Sequence, residues 1–181
     1  MPKVLIPLAV GFEEIEAITI ADVLRRADVE VVLVALEDLY VKGAHGIVVI
    51  ADALLNDVDA HTFDMIALPG GLPGAFHLAE HPTLQSILRE FDTNGKAIAA
   101  ICAAPYALKR AGVLKNAYTC YPSFETKIDH KGYASELNIV QDENITTSKG
   151  PSTAMLFALS LVEQLCGMAK KEELSRALLL S

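Results

Sequence analysis

Short unbroken apolar runs alternate along this chain with longer segments whose apolar positions recur at helical spacing. Lys3 to Ala9, Val29 to Leu36, Asp64 to Leu68 and Ala97 to Ile101 are the runs. Their length and β-branched content predict strands covered on both faces. Glu13 to Ala27 predicts a helix whose apolar side carries Ile15, Ile18, Ala21, Val23 and Leu24. His81 to Phe91 predicts another, with Leu84, Ile87, Leu88 and Phe91 facing inward. The first strand, helix and second strand form a βαβ unit, so the fold class is α/β, with a parallel sheet and right-handed crossovers.

The other segments fill in around that frame. Glu37 to Ala51 reads as a hairpin, with Tyr40 and Val41 in one arm, Gly43 to Gly46 as the turn and Ile47 to Ile50 in the other arm. Such an insertion suits a sheet edge. Ala51 to Phe63 is a connector with a helical turn near Asn56, and Gly74 to Glu80 is a short helix. Ala103 to Ala111 predicts a helix that tolerates Pro105 in its first turn and stops at Gly112. Ala117 to Tyr121 reads as a strand and Phe124 to His130 as a short helix. Asn138 to Val140 and Asn144 to Thr147 form a hairpin or two edge strands. Ala154 to Leu165 is a strongly apolar helix, and Lys170 to Leu180 closes the chain with Leu174, Ala177 and Leu178 inward. No linker, repeat or low-complexity tract interrupts the 181 residues, which suit one domain.

Composition narrows the function classes. A formal net charge of −8 argues against nucleic acid as a partner, since that role needs a basic face. No apolar run reaches the length of a membrane span, and the N-terminus lacks the pattern of a secretory signal. Three widely spaced cysteines, Cys102, Cys120 and Cys166, fit a reducing cytoplasm better than a disulfide framework.

Cys102 stands where the run Ala97 to Ile101 gives way to a helix. A lone cysteine in an apolar run is most often a small buried hydrophobe. A strand-to-helix turn instead presents its side chain, as a nucleophile elbow does, although the G-x-S-x-G form is absent. The helix start offers unpaired N–H groups and a positive dipole end, both of which favour thiolate over thiol.

Glu13, Glu14 and Glu16 suit a helix N-terminus electrostatically, and for Glu13 and Glu14 this is the preferred reading. Glu16 shares a face with Ile20, Val23 and Leu24. It is either a solvated first-turn acid or a buried one pushed towards its protonated, hydrogen-bond-donating form. Pro69 to Gly74, P-G-G-L-P-G, follows the third strand. It is either an ordinary turn or a backbone nest that takes an anion. Ligands in open parallel sheets bind beyond the carboxyl ends of the strands, where this loop and Cys102 both belong.

Cys120 and Cys166 read as packing residues. The histidines show no metal-binding spacing: His77 and His81 lie four apart, but Pro82 breaks the helix they would share. No dinucleotide fingerprint is present.

Four motifs, in this order, resemble the ThiJ/PfpI superfamily and its DJ-1 branch. They are G-F-E-E-I-E at Gly11 to Glu16, L-P-G-G at Leu68 to Gly71, A-A-I-C-A-A-P at Ala99 to Pro105, and T-S-K-G-P-S-T at Thr147 to Thr153. The resemblance covers essentially the whole chain. It implies a flavodoxin-like three-layer sandwich that forms homodimers, with helices on both faces of a mostly parallel sheet. It implies a reactive Cys102 hydrogen-bonded by a protonated Glu16. It also implies an oxyanion site using the backbone of Gly71 and Cys102, with Gly70, Ala103 and Tyr121 as further oxyanion or substrate-binding candidates.

Two positions depart from that pattern. Ala103 follows Cys102 where protease and amidotransferase relatives have His, and no His-x-Glu pair occurs, so a Cys-His protease triad is not supported. Tyr121, before Pro122, stands where close relatives often carry His; a tyrosine there donates a hydrogen bond but does not replace that base. The implied activity is glutathione-independent conversion of methylglyoxal to lactate, or removal of early glyoxal adducts from proteins or nucleotides, with no cofactor or metal. The alternative is an oxidative-stress sensor or redox-regulated chaperone working through oxidation of Cys102.

Overall fold

In the computed structural model, which describes residues 1–180, seven strands form one sheet and helices cover both of its faces. In chain order the elements begin with β1 (Lys3–Leu8), α1 (Glu14–Arg26), β2 (Glu30–Ala35), β3 (Tyr40–Lys42), β4 (Val48–Ile50), β5 (Ala53–Leu54) and β6 (Met65–Leu68). They continue with α2 (Gly74–Glu80), α3 (Pro82–Thr93), β7 (Ala97–Ile101), α4 (Pro105–Ala111) and α5 (Glu125–Ile128). Last come β8 (Ile139–Asp142), β9 (Ile145–Ser148), α6 (Ala154–Cys166) and α7 (Met168–Ala177). The sheet order is β5-β2-β1-β6-β7-β9-β8, parallel throughout except for β8 against β9. This is the flavodoxin-like α/β sandwich.

The layers follow from which residues are apolar all round. Val4, Leu5 and Ile6 of β1 and Met65 to Leu68 of β6 are fully buried because helices lie above and below them. On one face α1 packs on α6, and α6 on α7; on the other α2, α3 and α4 pack together. Helix α3 buries Leu84, Ile87, Leu88 and Phe91 as the periodicity requires. Pro82 opens it without losing a bond, and His81 Nδ1 accepts the Leu84 N–H at 3.3 Å.

Several expectations are revised. The hairpin β3–β4 is a separate two-stranded sheet, and β5 takes the edge beside β2. The hairpin is held instead to the loop between β1 and α1, where Gly11 N–H donates to Lys42 O and Ala44 N–H to Phe12 O, both at 2.8 Å. Ile15 and Ile18 point outward, so α1 faces the core through Ala17, Ile20, Ala21, Val23 and Leu24. Tyr118 makes only a bridge to Tyr133, so Ala117 to Tyr121 is not a strand. The segment is anchored by side chains: Ala117 N–H donates to Asp142 and Thr119 N–H to Thr147 Oγ1. Helix α5 is shorter than Phe124 to His130 because Asp129 turns left-handed, at φ 46°. Ala177 is exposed, and α7 is held by Leu174.

Candidate active site

The two central strands end side by side and deliver the site. Leu68 of β6 pairs with Ala100 of β7, so Pro69 to Gly71 and Ile101 to Cys102 leave the sheet as neighbours. Cys102 has φ +65°, a left-handed backbone that costs a residue with a Cβ about 1 kcal/mol or more. It begins a turn that separates β7 from α4, whose first residue is Pro105.

Glu16 reaches the same place from the first turn of α1. It is fully buried, and its Oε2 accepts the Gly70 N–H at 2.7 Å. The Cys102 thiol faces the same carboxyl, whose Oε1 is buried with no other partner. Of the two readings of Glu16, the buried one is correct. Burial pushes its carboxyl up to about 7; the Gly70 N–H and the thiol oppose that rise.

Burial also raises the thiol, and the Glu16 carboxylate raises it further, while the Gly71 and Ala103 N–H groups at the sulfur act the other way. The helix start therefore does not deliver a thiolate by itself, because α4 begins three residues later and desolvation outweighs it. The two groups titrate as a pair. When one proton remains between them, the sulfur is ionised whenever Glu16 holds that proton.

Glycine is needed on both sides of this pair. A Cβ on Gly70 would come within 2.6 Å of the Cys102 Cβ and 2.9 Å of Glu16 Oε2. Gly71 has φ +90°, and a Cβ there would lie 2.5 Å from Gly11 O and overlap the Glu13 amide.

The Cys102 amide does not join an oxyanion site, because it donates to Ser148 O at 2.9 Å as a further rung between β7 and β9. The backbone N–H groups directed at the sulfur are those of Gly71 and Ala103. The T-S-K-G-P-S-T motif thus acts as scaffold. Thr147 holds Thr119, the Ser148 carbonyl takes the Cys102 amide, and the Ser148 hydroxyl meets Thr153 Oγ1 at 2.7 Å.

A pocket of about 510 Å³ opens over Cys102. Gly71, Ala103 and Tyr121 line it beside the cysteine, so these candidates are brought together; Gly70 lies behind them between Glu16 and Cys102. The half-exposed Tyr121 also donates its backbone N–H to Cys102 O at 2.9 Å. Ile15, Leu72, Phe124 and Pro151 form apolar walls.

Sequence reasoning missed the acidic side of the mouth, formed by Glu13 and His45. Glu14 stands in the first turn of α1, as expected, but it is buried and bound to the hairpin: its Oε1 accepts N–H groups of His45 and Ile47 at 2.8 and 3.3 Å, and its Oε2 lies 3.1 Å from His45 Nδ1. Burial pushes this carboxyl up, but its own amide and the His45 and Ile47 contacts outweigh that and lower it. The Glu14 contact raises the His45 imidazole. The helical spacing of Glu14 gives no hint of a partner 31 residues away.

Glu13, Glu14 and His45 bring oxygen and nitrogen atoms within 4.8 Å of one another, and they are the potential metal-ligating group found among the described residues. Both Glu14 oxygens are already engaged by the hairpin. His77 and His81 are used separately, His77 Nδ1 lying 3.1 Å from Val10 O and His81 capping α3. Cys120 is fully buried, and burial pushes its thiol up to about 12. No described helix is long and apolar enough to cross a membrane.

The sequence profile of the DJ-1/PfpI family, DJ-1_PfpI, matches residues 2–164. The chain is 42% identical to the Arabidopsis thaliana protein DJ-1 homolog B over 98% of its own length, but spans only 41% of that relative. It is 39% identical to the Caenorhabditis elegans glutathione-independent glyoxalase DJR-1.2, over 93% of this chain and 91% of that one. The crystal structure of Drosophila melanogaster DJ-1beta superposes with a TM-score of 0.96 at 38% identity, covering 99% of this chain and 98% of the other.

Proposed function

This chain belongs to the DJ-1/PfpI family, and from that premise we propose that it is a glutathione-independent glyoxalase that turns a 2-oxoaldehyde into a 2-hydroxy acid. The observation that carries the reading is the contact of a buried Glu16, at about 7, with a Cys102 sulfur at the floor of an open pocket. A carboxyl at that value both gives and takes a proton near neutral pH. The likeness to a glyoxalase across nearly all of both chains supports the same chemistry.

Each step follows from one group. With the proton on Glu16, the Cys102 sulfur adds to the aldehyde carbon, and the new oxyanion meets the Gly71 and Ala103 N–H groups. Protonation of that oxygen by Glu16 gives a hemithioacetal. Glu16 then takes the proton from the former aldehyde carbon and returns it to the neighbouring carbon through an enediol, while the proton on the first oxygen passes to the second, so that the first oxygen becomes the thioester carbonyl and the second the hydroxyl. The product is a 2-hydroxy thioester, and the change in oxidation state is internal to the substrate. Water breaks the thioester, releasing the acid and restoring the thiol. Tyr121, in the pocket wall, is the residue we assign to donate a hydrogen bond to the second carbonyl. No step calls on a metal or cofactor.

We propose further that the protein works as a homodimer in a reducing, cytoplasmic setting. Ile18, Tyr40, Val48 and Ile50, exposed on α1 and the hairpin, supply an apolar face that a second copy would cover. A reducing compartment keeps the three free thiols free.

Lactate formation from methylglyoxal without glutathione tests the reaction. Wild type is expected to be active, and Cys102→Ala and Glu16→Gln to lose at least about a hundredfold. Equal activity in all three would overturn it. The sensor reading would then take its place, with the Cys102 thiolate consuming two peroxides to give a sulfinate and two waters. Release of amines from glyoxal-treated peptides, without lactate formation, would move the assignment to adduct removal.

A further inference from the structure

The pocket is larger than a three-carbon oxoaldehyde requires. Its volume, about 510 Å³, lies in the ~300–1,000 Å³ range of sites that enclose much bigger ligands. Its walls differ in character. Phe124 lines one side, and its ring is backed by Phe76 and Tyr106 at centroid distances of 6.0 and 6.2 Å. Ile15 and Leu72, each about half exposed, complete an apolar rim.

The charged side chains of the lining are Glu13 and His45, with no lysine or arginine among them. His45 is closer to Glu14 than to Glu13, at 3.1 against 3.5 Å. Two carboxyls, Glu13 and Glu14, therefore face the single His45 imidazole, so the mouth carries no excess of positive charge; burial raises the Glu13 carboxyl, and His45 beside it acts the other way. Only 12% of the Glu13 side chain is exposed, so its field is weakly screened at the mouth.

We infer that this site selects an uncharged 2-oxoaldehyde bearing an apolar, ring-sized substituent, which Phe124, Ile15 and Leu72 receive, and that Glu13 turns away anionic analogues. This rests on the carbonyl-enzyme reading but specifies what that reading leaves open. A phenyl group moved from water onto these walls gains by burial and by its contact with the Phe124 ring. A carboxylate on that group meets Glu13 at the mouth instead of a cation.

The test has two arms. In the first, kcat/KM is compared for methylglyoxal, phenylglyoxal and 4-carboxyphenylglyoxal. Intrinsic reactivities cancel when each ratio is compared between wild type and variant. Phe124→Leu is expected to reduce the phenylglyoxal-to-methylglyoxal ratio about tenfold, and Glu13→Gln to raise the 4-carboxyphenylglyoxal-to-phenylglyoxal ratio about tenfold.

In the second arm, 2-bromoacetophenone and its 4-carboxylate alkylate Cys102, forming a carbon–sulfur bond and expelling bromide. Mass spectrometry at Cys102 reads the rates, and no turnover is needed. The neutral reagent is expected to be faster, with the gap closing in Glu13→Gln. Thermal unfolding of each variant separates misfolding from selectivity. Turnover with unchanged ratios in both variants would overturn the inference and leave the carbonyl reading standing. Selective alkylation with no turnover of any oxoaldehyde would overturn the carbonyl reading and keep the preference of the pocket.

Discussion

Gly70 donates its N–H to Glu16 Oε2 at 2.7 Å, and it lies so close to Cys102 that a Cβ would come within 2.6 Å of that residue's own. One residue thus holds the acid and sets the distance to the sulfur. Gly70→Ala must push the two apart, at a cost of about 1–3 kcal/mol for the overpacking. A misplacement of this kind is expected to lower kcat about a hundredfold. Thermal unfolding alongside lactate formation checks both effects; unchanged kcat would refute the spacing argument.

The titration of Glu16 makes a prediction about stability. Burial holds its carboxyl at about 7 in the fold against 4.5 for a solvated glutamate, so the folded chain holds the proton more tightly. Its contribution is fully present below pH 4.5, declines as pH rises, and is lost above about 7. The difference is about 3 kcal/mol. Urea unfolding at a series of pH values is expected to show that loss in wild type and its absence in Glu16→Gln.

Glu14 ties the hairpin turn to α1 through His45 and Ile47, and a Cβ on Gly43 would overlap its carboxylate. Glu14→Ala leaves those N–H groups without their acceptor and is expected to destabilise by about 2 kcal/mol. Ala44 and His45 are also pocket walls. KM for the oxoaldehyde should therefore rise more than kcat falls, which steady-state kinetics resolves. Amide exchange at Ile47 should accelerate in the same variant.

Val48 is more than half exposed on β4, and we expect Val48→Asp to convert a dimer into a folded monomer. Sedimentation velocity on both proteins decides it. A wild-type monomer at micromolar concentration would refute the assembly.

Much of this architecture is legible in short-range pattern. The runs that became β1, β2, β6 and β7 announce themselves because parallel strands are apolar on both faces. Glu16 was visible as an acid sharing a face with Ile20, Val23 and Leu24. What escaped was set at a distance or by competition between forces. Ile15 and Ile18 have helical spacing yet face outward, because periodicity cannot tell a core from a pocket rim or an exposed apolar face. Two-residue β5 is too short to carry a period. The hairpin's true anchor is Glu14, far away in sequence. The thiol's environment follows from burial and from a carboxylate, whereas the sequence shows only the helix start. The commitment of the Cys102 amide to Ser148 depends on strand register, which local composition does not encode.

The left-handed turn at Cys102 sets heat resistance and chemistry against each other at one position. Asparagine adopts φ near +65° more readily than a residue such as cysteine. It would ease the turn and remove the proposed nucleophile together. A library of variants ranked by survival on heating would tolerate that exchange, while one ranked by turnover would discard it. If Cys102 is the nucleophile proposed above, a stabilisation campaign on this protein has to hold residue 102 fixed and rank its variants by turnover as well as by survival on heating.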